Sequence, residues 1–115
     1  MITRIKAGSR MSQAVVHGNT VYLAGQVASN RSADVAGQTR EILATIDGLL
    51  AEAGTDKKHV LAATIYLTDM STFNEMNAVW DAWVAPGCAP ARATVGAPLA
   101  SSAYRVEIVI TAARD

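Results

Sequence analysis

Apolar residues along the chain recur in two periods. Val21, Leu23 and Val27 alternate with Tyr22, Ala24 and Gln26, the two-residue period of a strand. Thr20–Val27 is therefore predicted as a strand, and Gln13–His17 as the one before it. Gly18-Asn19 between them is a two-residue turn signal, so the pair should form a hairpin. The polar stretch Ser29–Asp34 reads as a loop. Ile42, Leu43, Ile46, Leu49, Leu50 and Ala53 then repeat at helical spacing, which predicts a helix over Val35–Ala53. Asp34 suits its N-cap and Gly54 its stop. Val60–Leu67 is rich in β-branched residues and reads as a strand. Ser71 is predicted to cap a second helix, Thr72–Val84, with Phe73, Met76, Trp80, Trp83 and Val84 as its buried stripe. Pro86 and Gly87 end it. Ala91–Val95 and Tyr104–Ala112 are the closing strands.

The predicted order is ββαβαββ, with room for a short further strand at the N-terminus. Two helices against one face of a mixed sheet make an α+β layer in one domain spanning 1–115. In the last strand Val106, Ile108 and Ile110 should lie under the helices. Arg105, Glu107, Val109 and Thr111 should point to the second face, joined there by Thr64, Tyr66, Thr94, Tyr22 and Ala24. That face is semi-polar and nearly uncharged, which suits packing against other copies of the chain. An open sheet binding some other partner is the alternative. Arg92 and Glu107 are also assigned to this face, where a charge is costly unless paired. On spacing alone, the simplest role for them is an ion pair with each other or with a neighbouring chain.

Composition narrows the function classes. Half of the 115 residues are hydrophobic, enough for a core without disulfides or metal. Only 17% are charged, which again points to surface covered by another subunit. Lys+Arg and Asp+Glu number 10 each and no basic tract occurs, so no nucleic-acid partner is expected. No apolar run has the length of a signal peptide or membrane span, so the cytoplasm is the expected location and no membrane partner is expected. Cys88 is single and sits in a Pro/Gly-rich loop without a nucleophile motif. His17 and His59 have neither paired carboxylates nor metal-ligand spacing, so no metal site is expected. No phosphate-binding glycine loop is present.

The fragments that carry a resemblance are spread along the whole chain. Ser12-Gln13-Ala14-Val15 is followed by Gly18-Asn19, and Ala24-Gly25-Gln26 comes next. Gln38-Thr39 opens the first helix and Ala53-Gly54 ends it. Thr64-Ile65-Tyr66-Leu67-Thr68-Asp69-Met70 leads into Phe73 and Asn77. Pro90-Ala91-Arg92 and Val106-Glu107-Ile108 close the series. In order and spacing they resemble the RidA/YjgF family of reactive-intermediate enamine/imine deaminases. The resemblance implies a chorismate-mutase-like α+β fold, a homotrimer with clefts between subunits, and no cofactor. It implies Arg92 as a clamp for a substrate carboxylate and Glu107 as the residue that positions or activates water. Gly25 and Thr94 would line the cleft through backbone groups, with Asn77 nearby. The implied substrates are 2-enamino and 2-imino acids such as 2-iminopropanoate, hydrolysed to 2-keto acids and ammonia.

Four positions depart from the family pattern. Arg10-Met11 replace a Pro-Tyr pair whose tyrosine borders the pocket, and Met11 cannot donate a hydroxyl hydrogen bond. Val109 replaces a second acid in the last strand, and Gly96 an acid shortly after Arg92. These departures bear on substrate choice. They also leave open a carboxylate-binding or chaperone-like trimer without turnover. An RNA-directed translation inhibitor or ribonuclease is a more distant alternative, against the neutral charge.

Overall fold

Most of the hydrophobic periods become the elements they predict. A computed structural model describes all residues, 1–115, with six strands and two α-helices as the main elements. They are β1 (Ile2–Ile5), β2 (Ala14–His17), β3 (Thr20–Leu23), α1 (Val35–Glu52), β4 (Val60–Leu67), α2 (Phe73–Trp83), β5 (Ala91–Gly96) and β6 (Val106–Ala113). The strands form one mixed sheet in the order β1-β2-β3-β6-β4-β5. All neighbours are antiparallel except β4 and β5, which the crossover through α2 makes parallel. The short N-terminal strand is present as the edge strand β1.

The hairpin forms as expected. Gly18 has a φ of +60° and Asn19 does not have a positive φ, the sign pattern of a II′ turn with Gly first. In α1 the Asp34 carboxylate accepts from Gly37 N at 2.8 Å. The C-terminus closes on Gly54 at φ +82°, with Gly54 N bonding Ala51 O and Thr55 N bonding Leu50 O. This is the paired bonding of a Schellman end, and its left-handed residue is why glycine stands there. Ile42, Leu43, Ile46, Leu49, Leu50 and Ala53 are all buried, so the predicted stripe is the buried one. They pack on Val106, Ile108, Ile110 and Ala112 of β6 and on Ile65 and Leu67 of β4, within one cluster of 22 buried residues.

Several local expectations are corrected. Ser71 does not cap the second helix. A 3₁₀ turn, Met70–Thr72, comes first, and Asp69 caps it by accepting from Ser71 N and Ser71 Oγ. A carboxylate outcompetes a hydroxyl for these donors. In α2 Met76 and Trp80 are buried, whereas Trp83 is only half-buried and donates its indole N–H to Asp47 at 3.1 Å. The strand predicted to Val27 ends at Leu23, and only Gln26 rejoins the sheet, through two backbone bonds with Ile108. The break shifts the phase. Gln26 is buried at 7% exposure while Val27 is half-buried, the reverse of the expected alternation. β6 begins at Val106, because the Arg105 amide is taken by the side chain of Gln38.

Candidate functional site

The resemblance places Arg92 and Glu107 at the centre of any chemistry. Glu107 lies near the start of β6 and pairs with Tyr66 of β4. Its neighbours Val106 and Ile108 are fully buried under the helices, so Glu107 points to the open face, as predicted. The interruption after Leu23 brings Gly25 against it. A Cβ built on Gly25 would lie 2.9 Å from Glu107 Cδ and would overlap Oε2. Glycine is therefore required for the carboxylate to sit where it does. Met11 is exposed in the turn before β2, at the same end of the sheet. Ala24 N bonds the carbonyl of Gln13, two residues beyond Met11. Met11, Gly25 and Glu107 thus share one end of the sheet.

Arg92 is not where the strand pattern put it. β5 pairs with β4 and not with β6, since β6 already occupies the other edge of β4. In the parallel register Arg92 lies beside Ala63 and Thr94 beside Ile65. Ala63 and Ile65 are buried beneath the helices, so Arg92 and Thr94 are on the helix face. The assignment of both to the second face is corrected. Ala91, Ala93 and Val95 alternate with Arg92 and Thr94 along β5. The first three are exposed, on the open face. β5 is an edge strand of the sheet.

Arg92 lies against α2. Its guanidinium carbon is 5.4 Å from the Trp80 ring centre and 5.9 Å from that of Phe73. Both distances fall within cation–π range. The ion pairs of the chain are Lys6–Glu52, His59–Asp56 and a 4.0 Å contact of His59 with Asp115. Neither Arg92 nor Glu107 takes part in one. The expected Arg92–Glu107 pair is absent within the chain. Three residues along β4 and two strand spacings separate their backbones, about 14 Å, and their side chains leave opposite faces.

Two further buried atoms flank Arg92. Asn77 lies on α2 between Phe73 and Trp80, and Thr94 follows Arg92 by two residues on the same face of β5. Asn77 Oδ1 and Thr94 Oγ1 are each buried without a hydrogen-bond partner. Such atoms cost roughly 1–3 kcal/mol apiece when left unpaired, which sets these two apart from the other polar groups of the chain. Thr94 was expected to contribute backbone groups, but the exceptional atom there is its side-chain hydroxyl.

The six sequence-predicted residues therefore fall into two groups. Arg92, Thr94 and Asn77 gather at the edge between β5 and α2. Gly25 and Glu107 meet at the open face, and Met11 lies exposed before β2, at the same end of the sheet. Sequence reasoning missed the roles of Phe73 and Trp80 beside Arg92, having assigned both to the core. Their seven-residue spacing, two helical turns, was the available signal, because a β4–α2–β5 crossover lays the inner stripe of α2 along β5.

The open face is nearly uncharged. It presents Val15, Tyr22, Ala62, Thr64, Tyr66, Ala91, Ala93, Val95, Val109 and Thr111, with Arg4 and Glu107 as its charges. Tyr22 and Val95 are exposed there at 50% and 43%. A separate cavity of about 520 Å³ lies on the far side, between α1 and α2, lined by Leu43, Val79, Trp83 and several alanines. It touches none of the six residues. No three His, Cys, Asp or Glu side chains converge as a metal site would need, and no helix is long and apolar enough to cross a membrane.

Comparisons with known proteins agree along the whole length. The family model described as Endoribonuclease L-PSP matches residues 1–114. A RutC family protein of Haemophilus ducreyi is 48% identical over 113 residues, covering 98% of this chain and 97% of that protein. The RutC family protein YoaB of Escherichia coli (strain K12) is 48% identical over 112 residues, covering 97% of each. The solved structure of NMB1025 from Neisseria meningitidis, described as a member of the YjgF protein family, superposes with a TM-score of 0.97. Its identity is 50%, over 100% of this chain and 96% of that one. A Pseudomonas aeruginosa protein superposes with a TM-score of 0.98 at 42% identity, over 100% of both chains. The chain belongs to the RutC/YjgF family that its motifs resemble, and its α+β fold is that of the family's solved members.

Proposed function

We propose that this protein hydrolyses reactive 2-imino acids to 2-keto acids and ammonia, as a homotrimer with sites between subunits. The observation that carries the proposal is Arg92. It is a half-buried guanidinium with no carboxylate partner in its own chain, held against two aromatic rings. Its planar fork matches a carboxylate bidentately, in a way a lysine could not. A substrate carboxylate supplies the missing charge.

The chemistry asks little beyond that clamp. An imine carbon is already electrophilic. Glu107 takes a proton from water as the water oxygen bonds to that carbon, and the nitrogen gains a proton. The carbinolamine then collapses: its hydroxyl proton passes through Glu107 to the amino nitrogen, the C–N bond breaks, and the carbonyl forms as ammonia departs. Positioned proton transfer of this kind is worth about 10²–10⁴ in rate. No group outside the chain is needed to balance these steps.

Arg92 and Glu107 leave opposite faces of one sheet, so one copy of the chain does not bring them together. The proposed site joins the Arg92 edge of one copy to the Glu107 face of the next. The uncharged open face supports such contacts, and the unpaired Asn77 and Thr94 atoms support a partner at the Arg92 edge.

The test is ammonia and pyruvate release from freshly generated 2-iminopropanoate. Losing a charge-assisted clamp should lower kcat/KM in Arg92→Ala by roughly 10- to 100-fold. Equal rates for Arg92→Ala and wild type overturn the mechanism. Carboxylate binding without accelerated hydrolysis would leave a binding trimer instead. The name of the matching family model motivates a second reading, RNA cleavage. Against it stands a net charge of zero. RNA affinity that falls with salt and survives Arg92→Ala would favour it.

A further inference from the structure

Arginine 92 carries four single bonds of side-chain freedom and no ion pair to fix them. A clamp that is free to rotate loses affinity to ordering entropy each time it binds. Something else must hold it. The guanidinium lies 5.4 Å from the Trp80 ring centre and 5.9 Å from that of Phe73. Both rings come from one stripe of α2, and α2 is anchored in the core by Met76 and Trp80 itself. Trp80 is rigid for the same reason, at 5% exposure.

We propose that Phe73 and Trp80 are positioning residues that orient the Arg92 guanidinium for a substrate carboxylate. The inference rests on the reading of Arg92 as a carboxylate clamp. The rings attract the cation through their faces and offer no acceptor that competes for its N–H groups. An acidic partner in their place would hold Arg92 equally well, but it would occupy the fork that the substrate needs. Aromatic contact reconciles the two demands: orientation without neutralisation. It also discriminates among ligands. A planar carboxylate can reach the N–H edge of the guanidinium while the rings cover the ground beside it. A neutral amide gains little from an oriented charge.

The experiment compares Phe73→Leu and Trp80→Leu with the ring-keeping variants Phe73→Tyr and Trp80→Phe. Each is assembled as the full-length protein and checked for wild-type circular dichroism and oligomeric size. Steady-state kinetics use 2-iminopropanoate, with pyruvate and pyruvamide as competing probes. Loss of a partly desolvated cation–π contact should raise KM and the pyruvate inhibition constant roughly tenfold, with kcat within about threefold. The pyruvamide constant should be unmoved, and the ring-keeping variants should return most of the loss. A merely structural role would move the pyruvate and pyruvamide constants together, and that outcome overturns the proposal. So does a folded Phe73→Leu with wild-type KM. Because Trp80 is buried and its leucine variant can fail to fold, the half-buried Phe73 carries the decision. Arg92→Ala run alongside separates the two levels. If it too is unchanged, the clamp reading itself has failed. If it is impaired while Phe73→Leu is normal, only the positioning role has failed.

Discussion

A mixture of two inactive variants should regain activity if the site is shared between copies. Arg92→Ala leaves a chain with an intact Glu107 face, and Glu107→Ala leaves a chain with an intact Arg92 edge. Each alone should be nearly inactive in ammonia release. Consider now a closed ring in which every site takes its arginine from one copy and its glutamate from the next. With equal random mixing, the arginine donor is the Glu107→Ala chain half of the time, and the glutamate donor is the Arg92→Ala chain half of the time. Roughly a quarter of sites are therefore complete, so activity should recover to about 25% of wild type. The structural basis is the opposite placement of the two side chains, with Arg92 beside Ala63 on the helix face and Glu107 beside Tyr66 on the open face. The assay co-refolds the two variants, or co-expresses them with different tags and purifies the mixed species. Mixing after separate assembly is the control and should stay inactive until subunits exchange. A co-refolded mixture no more active than the two variants alone would refute the shared site, because a site within one chain cannot be rebuilt from two damaged ones.

Three other outcomes follow from individual contacts. Gly25→Ala should lower kcat on the order of a hundredfold, because its Cβ would displace the Glu107 carboxylate, while overpacking costs only about 1–3 kcal/mol of stability. Kinetics and denaturation read on the same sample separate the two effects. Gln38→Leu should destabilise the fold by about 3 kcal/mol in urea unfolding. The fully buried Gln38 donates to Ala33 O and Ala103 O and accepts from Arg105 N, so it ties two loops together and leucine would leave three groups unpaired. The Glu41 carboxyl is held below its ordinary range first by the Ser29 amide and then by that of Asn30. A lowered pKa contributes stability above the ordinary carboxylate range that is lost as pH falls through the folded value. Exchange protection of the Ser29 and Asn30 amides should therefore fall on acidification. Glu41→Gln, which cannot titrate, should show a flat dependence over the same range.

Which parts of this molecule were legible in the sequence depends on how many constraints each residue carried. The stripe of α1 was plain because six apolar residues share one period and a capping aspartate and a terminal glycine bracket it. The last strand was plain for the same reason, with four fully buried positions alternating along its length. β5 was misread because it alternates small apolar residues with Arg92 and Thr94, and hydrophobicity alone places the alanines inside. The rule fails at an edge strand whose inner side is not fully roofed by helices. The break after Leu23 was marked only by Gly25 in the apolar series, and the structure sets Gly25 close against Glu107 there. Motif resemblance named Arg92 and Glu107 as a set to examine, but motifs carry no information about faces. The pairing of β5 with β4 rather than β6 was the missing fact.

The placement of the two charges has a consequence for when chemistry is possible. Under the proposed reading, an unassembled chain holds a clamp without a base at one edge and a base without a clamp at the other. Neither half does useful work, and both expose groups that want partners. The open face carries exposed Tyr22 and Val95, and the Arg92 edge carries the unpaired Asn77 and Thr94 atoms. Assembly would cover the first, supply partners to the second and complete the site in one event. Under that reading, the opposite placement of Arg92 and Glu107 makes activity conditional on association. Activity per chain should accordingly fall on dilution below the dissociation point of the oligomer. That fall should parallel the loss of assembled species by sedimentation, and not the loss of helical signal.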